Sequence, residues 1–445
     1  MQLSNYLKIY PCPDQPGMNL VYSTLRSAVV LLPDELLEAV RNGTLPDEER
    51  EILARLHILT PDRAAERQRL RTIFDTPRAN TPFSAVVVLN LDCNLACPYC
   101  YEDGFRGKHY MSDATAALLV ETIHRERIEK GQPLRLTFYG GEPLLSLGLI
   151  RAIARPLGQA ARERGVAFGF SLVTNGTLLN RACVEELLPL GLSGAKVTID
   201  GPSELHDRSR PFVSGLGSYE AILRNVLDIH KIVPLQLGGN YTRDNFREFP
   251  RMLDDLLARG IDPARIGAML FAPVIPKSGQ RVLSDFNTGC TCSYEPWLME
   301  AALWLRQETL KRGFPAPKPK LSACMVELEN ELVINHDGSL YKCPAFMACP
   351  ELRIGSLSEG MADFSASHNL DLWKKDECLE CAYLPICFGG CRQLTLLRNG
   401  KINEVDCRRE YYDTVLERMV RQDLEYQGTK PAGQQESAAG EPEKE

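Results

Sequence analysis

Three cysteines, Cys93, Cys97 and Cys100, stand in a CxxxCxxC spacing directly after the apolar run Ala85-Val-Val-Val-Leu89. That run is short and β-branched, so it is expected to be a buried strand with the cysteines on the loop at its end. Thiolates favour zinc or iron–sulfur clusters, and a structural zinc site takes four protein ligands. Three thiols this close, with no histidine beside them, suit a cluster in which one iron is left open to a second molecule. The bland alternative is three buried structural thiols.

A second set lies downstream. Cys324 is followed by thirteen residues, Gly338, four residues and Cys343; Cys378, Cys381, Cys387 and Cys391 then run as Cx2Cx5Cx3C, and Cys407 follows. CxxC pairs also make zinc ribbons, but this many thiols exceed one four-ligand site and call for two metal centres. The chain has 15 cysteines in all, an odd number, and its start MQLSNYLKIY lacks the basic and apolar regions of a signal peptide. In a reducing compartment such clusters ligate metal rather than form a disulfide framework, and the cytoplasm is the expected location. Cys12 stands apart and reads as structural or incidental.

Polar and glycine motifs follow further apolar runs. Gly140-Gly-Glu-Pro143 could bring backbone close to a ligand and offer a carboxylate to an ammonium group. It could equally be a strand-to-helix turn with an acidic helix start. Thr174-Asn-Gly176 and Asp200-Gly-Pro202 are turn formers as well as candidate site residues. Asn240 could contact a ligand or merely end a strand. His206 reads as a satisfied loop histidine.

These motifs need elements to position them. From residue 84 a strand-then-helix rhythm repeats six times, with strands expected at 85–89, 134–138, 168–173, 195–199, 235–238 and 266–271. Helices are expected between them at 112–130, 147–164, 181–190, 219–232 and 244–259. Such alternation means parallel strands with helical crossovers, and the fold class is α/β. Six units make a partial (β/α)6 TIM-like barrel, whose functional rim is the C-terminal ends of the strands. Cys93, Gly140, Thr174, Asp200 and Asn240 all fall there.

Residues 1–80 read as a small separate α+β unit. Asn19-Leu-Val-Tyr-Ser23 and Ala28-Val-Val-Leu-Leu32 form a candidate hairpin, followed by a helix that Pro33 opens and Gly43 stops. A second helix begins near Leu45-Pro-Asp-Glu, and a third, basic segment is AAERQRLRTIF. The barrel spans 81–272; a linker and helix occupy 273–322, with the helix at 295–312. The cysteine-rich region is 323–427, ending in a helix at 410–425, and the tail 428–445 is expected to be disordered.

A chain of 445 residues exceeds one compact core, and 44% hydrophobic residues are enough for several. A net charge of -7 leaves no basic footprint for nucleic acid, and no apolar run is long enough to span a bilayer.

With Tyr99 as its aromatic position, the first cysteine motif reads CxxxCxΦC, and residues 84–272 resemble the radical S-adenosylmethionine (SAM) enzymes. The resemblance implies a [4Fe-4S] cluster on Cys93, Cys97 and Cys100, an open iron that chelates SAM, and reductive cleavage of SAM to a 5′-deoxyadenosyl radical. It implies that the segment Gly140, Gly141, Glu142 and Pro143 contacts the SAM amino group. Thr174, Asn175, Asp200 and Asn240 would serve SAM or substrate, and Arg210 the SAM carboxylate. No catalytic residue is assigned beyond the cluster. The downstream set is similar to the seven-cysteine SPASM domain, which implies two auxiliary [4Fe-4S] clusters. Cys324, Cys343 and Cys391 would hold the nearer one, and Cys378, Cys381, Cys387 and Cys407 the farther one. A remaining ligand of the nearer cluster would be Cys349, Cys290 or Cys292, or the site would be open to a substrate thiolate.

SPASM enzymes modify residues of peptides or proteins. The expectation is a maturase of ribosomally made peptides, installing thioether or other cross-links. Residues 1–80 would be a winged-helix-like leader-recognition module, and a flavodoxin- or ferredoxin-type protein would supply electrons. The alternatives are an anaerobic sulfatase-maturating enzyme, which makes formylglycine from cysteine or serine, and a non-catalytic iron–sulfur or zinc scaffold.

Overall fold

The computed structural model describes residues 1–275 and 295–426. Cys290 and Cys292, most of the linker ahead of residue 295 and the tail from residue 428 lie outside the described residues.

The chain opens with β1 (Gln2–Leu3), β2 (Leu7–Pro11), β3 (Met18–Ser23) and β4 (Ala28–Pro33). The expected hairpin is the antiparallel pair β3–β4, and β2, which the sequence reading missed, adds a third strand on the other side of β3. Helices α1 (Asp34–Asn42) and α2 (Asp47–Arg55) follow, then β5 (Leu59–Thr60), which pairs with β1, and α3 (Arg63–Asn80). α1 has Asp34 and Glu35 in its first turn, where the helix dipole favours them, and ends at Gly43 in the left-handed conformation.

This unit is not free-standing. Tyr6, Leu70 and Phe74 share one apolar core with Trp373, Leu379, Leu384 and Phe388, and Leu20 and Tyr22 share another with Ile386 and Leu416. Tyr6 Oη donates to the carbonyl of Leu379 at 2.9 Å, Thr24 Oγ1 reaches that of Ala382 at 2.6 Å, and Tyr22 Oη donates to Pro319 at 2.8 Å. The reading of residues 1–80 as separate missed this because the contacts join positions more than 290 residues apart.

The barrel strands are β6 (Phe83–Asn90), β7 (Leu134–Gly140), β8 (Phe168–Thr174), β9 (Leu192–Thr198), β10 (Leu235–Tyr241) and β11 (Ile266–Pro273). They lie side by side in chain order, all parallel. Between them run α4 (Asp113–Ile123), α5 (Leu147–Arg164), α6 (Arg181–Leu187), α7 (Ser203–Ser209), α8 (Tyr219–Ile229) and α9 (Phe249–Ala258). Leu134, Leu136 and Phe138 alternate into the main core, where they meet Leu119, Ile150 and Leu157 of the covering helices. Helix boundaries differ from expectation at several points, and α8 stops at Ile229 rather than residue 232. α4 passes into a π-helical turn at His124–Ile128, and α6 into a 3-10 turn. α9 begins at Phe249 rather than residue 244, which puts Pro250 in the first turn, where a missing N–H costs nothing.

After α10 (Pro296–Lys311), the cysteine-rich region contributes β12 (Glu331–Ile334), β13 (Ser339–Tyr341), β14 (Gly355–Ser356) and β15 (Gly360–Met361). β12 pairs in parallel with β6, from Glu331↔Ser84 to Ile334↔Val87, and β13, β14 and β15 continue the same sheet antiparallel. The first barrel strand is therefore an interior strand of a ten-stranded sheet. The short helix α11 (Asp376–Leu379), α12 (Arg392–Asn399) and α13 (Arg409–Tyr426) complete the region. α13 docks on α10 through the Arg306–Asp423 ion pair at 2.6 Å.

Candidate active site

The cysteine loop leaves the C-terminal end of β6 and is tied down on several sides. Asn90, fully buried, donates from Nδ2 to the Glu142 carbonyl at 3.0 Å and to Ser146 Oγ at 2.7 Å. Asp92 accepts from Cys93 N at 2.9 Å and from Tyr110 Oη at 2.5 Å. A turn at residues 211–216 clamps the middle of the loop: Ala96 N donates to the Pro211 carbonyl at 2.8 Å, and Val213 N to that of Asn94 at 3.0 Å. Sequence reasoning missed this clamp. Its only signal was a glycine-bearing turn just after Arg210.

Cys93, Cys97 and Cys100 are each partly buried and unbridged. Burial pushes the Cys93 and Cys100 thiols up to about 11 and raises Cys97. Thiolates there require a cation to offset the buried charge, and iron fits that need. Among the described residues, no three His, Cys, Asp or Glu side chains are grouped to hold a single metal ion.

Around the loop the strand ends converge. Gly140 and Gly141 are needed for close backbone packing. A Cβ on Gly140 would sit 2.3 Å from the Asn90 carbonyl oxygen, and one on Gly141 would sit 2.2 Å from that of Asp92. The glycines let β7 close against the start of the cysteine loop. Glu142 is fully buried, which raises its pKa; it accepts from Leu144 N at 3.0 Å, Thr174 Oγ1 at 2.8 Å and Asn175 N at 2.8 Å. Pro143 starts the short 3-10 turn that follows. Asn175 reaches back to the loop, with Nδ2 at 2.8 Å from Asn94 Oδ1 and 3.8 Å from Cys93 Sγ.

On the far side, Tyr99 Oη donates to Asp200 and accepts from Arg210 Nη1 at 2.7 Å. Asn240 N donates to Asp200 Oδ1 at 2.7 Å, and its Nδ2 lies 3.3 Å from Tyr99 Oη. Burial raises the Asp200 pKa against the opposing pull of Arg210. Arg210 keeps one buried donor, Nε, without a hydrogen-bond partner, and Asn90 Oδ1 is likewise unpaired. Orphaned buried polar atoms at converging strand ends fit a polar cofactor. His206 lies in α7 rather than in a loop, fully buried, with Nδ1 accepting from Asp200 N at 3.1 Å and Nε2 at 3.0 Å from Ser218 Oγ.

The downstream cysteines fall into two neighbourhoods. Burial, then the adjacent thiols of Cys324 and Cys391, push Cys343 up to about 12; Cys391 also acts on Cys324. Cys349 packs in the same apolar cluster as Cys324 and Cys343. Separately, Cys381 and Cys407 act on Cys378, and Cys381 acts on Cys387. Tyr139 is within electrostatic reach of both Cys100 and Cys343 and hydrogen-bonded to Tyr101 at 2.6 Å. A cavity of about 420 Å³ lies over the edge of β11, with Tyr241, Phe271, Leu305 and Cys391 in its walls.

Residues 87–256 match the family model of the radical SAM superfamily. The chain carries a radical SAM domain. That domain sets the cofactors as a [4Fe-4S] cluster and SAM. The chain is 25% identical over 356 residues to a serine-type anaerobic sulfatase-maturating enzyme of Klebsiella aerogenes, covering 74% of this chain and 84% of that one. Among solved structures it is similar to anSMEcpe with bound AdoMet, with a TM-score of 0.61 and 19% identity over 77% of this chain and all of that one. It is also similar to Streptococcus suis SuiB bound to S-adenosylmethionine, with a TM-score of 0.53 and 14% identity over 91% of this chain and 98% of that one. Both structural likenesses are of fold. Among the described residues, no helix is long and apolar enough to cross a membrane.

Proposed function

We propose that this radical SAM enzyme is a cytoplasmic peptide maturase, which oxidatively cross-links residues of a ribosomally made precursor peptide whose leader docks on the N-terminal unit. The observation that carries the reading is that unit itself. It is a three-stranded antiparallel sheet followed by helices, and β4 is an edge strand of it. An edge strand can pair with an extended peptide, main chain to main chain. The likeness to SuiB, a protein also solved bound to precursor peptide SuiA, spans 91% of this chain, against 77% for anSMEcpe.

When bound, the cluster and SAM supply an electron and a carbon-centred radical able to take a hydrogen atom. Cys93, Cys97 and Cys100 would hold the cluster, and the loop's ties to Asn90, Asn175 and the 211–216 turn fix its position. Gly140, Gly141, Glu142 and Pro143, with Thr174 and Asn175, would line the SAM methionyl end. Arg210, Asp200, Tyr99 and Asn240 would line the other side, where Arg210 Nε is a free donor for a carboxylate. Cys324, Cys343 and Cys391, with Cys349, would hold the nearer auxiliary cluster, and Cys378, Cys381, Cys387 and Cys407 the farther one. The cavity between β11 and Cys391 offers apolar walls to a peptide segment. A flavodoxin- or ferredoxin-type donor would supply the electron.

The second reading, sulfatase maturation, is favoured by the sequence relative from Klebsiella aerogenes. Incubating reconstituted enzyme with SAM, dithionite and candidate peptides encoded beside its gene separates the two. A cross-linked product lacks two hydrogens and does not react with a hydrazide; formylglycine is an aldehyde and does. An aldehyde product would overturn the peptide cross-linking reading, and no 5′-deoxyadenosine from fully reconstituted protein would overturn both.

A further inference from the structure

α2 ends at Arg55, and His57, two residues on, adopts the left-handed conformation with φ of 56°. Elsewhere the chain ends helices in this conformation with glycine: Gly43 after α1, Gly165 after α5 and Gly400 after α12. A histidine there bears a strain that glycine would not. The surrounding structure holds the imidazole there despite that strain, with its Nδ1 buried and without a hydrogen-bond partner, in a side chain only 8% exposed.

The ring lines a pocket of about 210 Å³ together with Leu25, Leu59, Pro61, Glu66 and Arg69. Burial, followed by the charges of Arg26 and Arg69, lowers the His57 pKa to about 4, so the ring is neutral and both guanidiniums lie within its electrostatic reach. Neither arginine has an ion-pair partner among the described residues. The one acid in the wall, Glu66, is already engaged by Ser4 Oγ, Asn5 N at 3.1 Å and Arg63 at 3.0 Å. The wall thus combines apolar side chains, an imidazole whose Nδ1 has no hydrogen-bond partner and the unpaired Arg69, with the unpaired Arg26 within electrostatic reach of the ring. That is the complement of a carboxylate on a short aliphatic stem.

We propose that this pocket binds a glutamate or aspartate side chain of the substrate peptide, a proposal that rests on the reading of the N-terminal unit as the peptide's docking module. The carboxylate accepts from His57 Nδ1 and from Arg69, and its methylenes lie against Leu25 and Leu59. Arg26 adds charge from the β3–β4 turn.

The test uses the full reconstituted chain with two probes, glutarate followed by calorimetry and fluorescein-labelled hexaglutamate followed by anisotropy. Hexaglutamate is expected to bind at low salt and hexaglutamine is not. Arg69→Gln, an exposed position, weakens hexaglutamate about tenfold to a hundredfold, the worth of one charge-assisted hydrogen bond. His57→Gly weakens it similarly while keeping or raising the unfolding temperature, because glycine suits the backbone there. A merely structural histidine would not separate these two readouts. Equal binding of hexaglutamine, or wild-type affinity in both variants, overturns the pocket. Glutarate binding that depends on His57, without hexaglutamate binding, upholds the pocket and overturns the docking of a peptide on this unit.

Discussion

Removing the hydroxyl of Tyr6 tests whether the N-terminal unit is built into the cysteine-rich region. Tyr6 is fully buried, and its Oη donates at 2.9 Å to the carbonyl of Leu379, which lies between Cys378 and Cys381. Thr24 Oγ1 reaches the Ala382 carbonyl at 2.6 Å, and Tyr412 Oη donates to that of Ile386 at 2.9 Å. Three carbonyls of the cysteine loop are thus held by hydroxyls from outside it. Tyr6→Phe keeps the packing and leaves one buried carbonyl unpaired, at a cost of about 1–3 kcal/mol. In a cooperative unit of this size, a loss in the middle of that range lowers the unfolding midpoint by about 2–4 °C. Adding Thr24→Ala deepens the loss. A loosened loop also binds metal less well, because ligand binding and folding of the site are linked. The double variant should therefore keep about eight of some twelve irons per chain, counted as four per cluster. Its 5′-deoxyadenosine yield should persist, since the loop after β6 makes none of these contacts. The assay is thermal unfolding beside iron analysis of anaerobically reconstituted protein. A double variant with the wild-type midpoint and full iron would refute the reasoning.

Cys93→Ala should abolish SAM cleavage and remove about four irons, leaving the others in place; retained 5′-deoxyadenosine, read by chromatography, would unseat the first loop as the cluster site. Gly141→Ala forces a Cβ to within 2.2 Å of the Asp92 carbonyl oxygen, so the cysteine loop must shift. It should lower stability by about 1–3 kcal/mol in urea titration, as overpacking does, and depress SAM cleavage with it. His57, with its pKa lowered by burial from 6.5 to about 4, makes stability depend on pH. Below pH 6.5 the unfolded chain takes a proton that the folded chain refuses, so the stability present above 6.5 is lost as pH falls toward 4, by about 3 kcal/mol at most. Urea midpoints at several pH values should show a steeper fall in wild type than in His57→Gly, and parallel profiles would rule the assignment out.

The barrel was legible because its signals are local. Each strand is a short apolar run, and each rim motif follows its strand directly, so Cys93, Glu142, Thr174, Asp200 and Asn240 could be placed on one edge before any contact was known. The reason for Gly140 and Gly141 was not legible, because it lies in backbone 50 residues earlier, at Asn90 and Asp92. β12 was missed for a related cause. Its four residues carry no helix–strand rhythm, and their partner β6 precedes them by more than 240 positions. The supports of the first loop, Asn90, Asn94 and the 211–216 turn, are ordinary polar and turn residues by type. Only their placement beside the cysteines gives them a role.

The pairing of β12 with β6 bears on the proposed chemistry. Cys93 follows β6, Cys324 precedes β12, which pairs with β6, and Cys343 follows β13, which pairs with β12, so the first cysteine loop and the nearer downstream set flank strands of one sheet. A hydrogen-bonded ladder, rather than a hinge between domains, thus joins the barrel to the cysteine-rich region. Tyr139, on the next strand β7, is within electrostatic reach of both Cys100 and Cys343 and is hydrogen-bonded to Tyr101 at 2.6 Å. Cys391, within electrostatic reach of Cys324 and Cys343, also stands in the wall of the cavity at the edge of β11. Under the proposed function, a peptide lying in that cavity would reach Cys391 of the nearer set and the ends of β10 and β11 together.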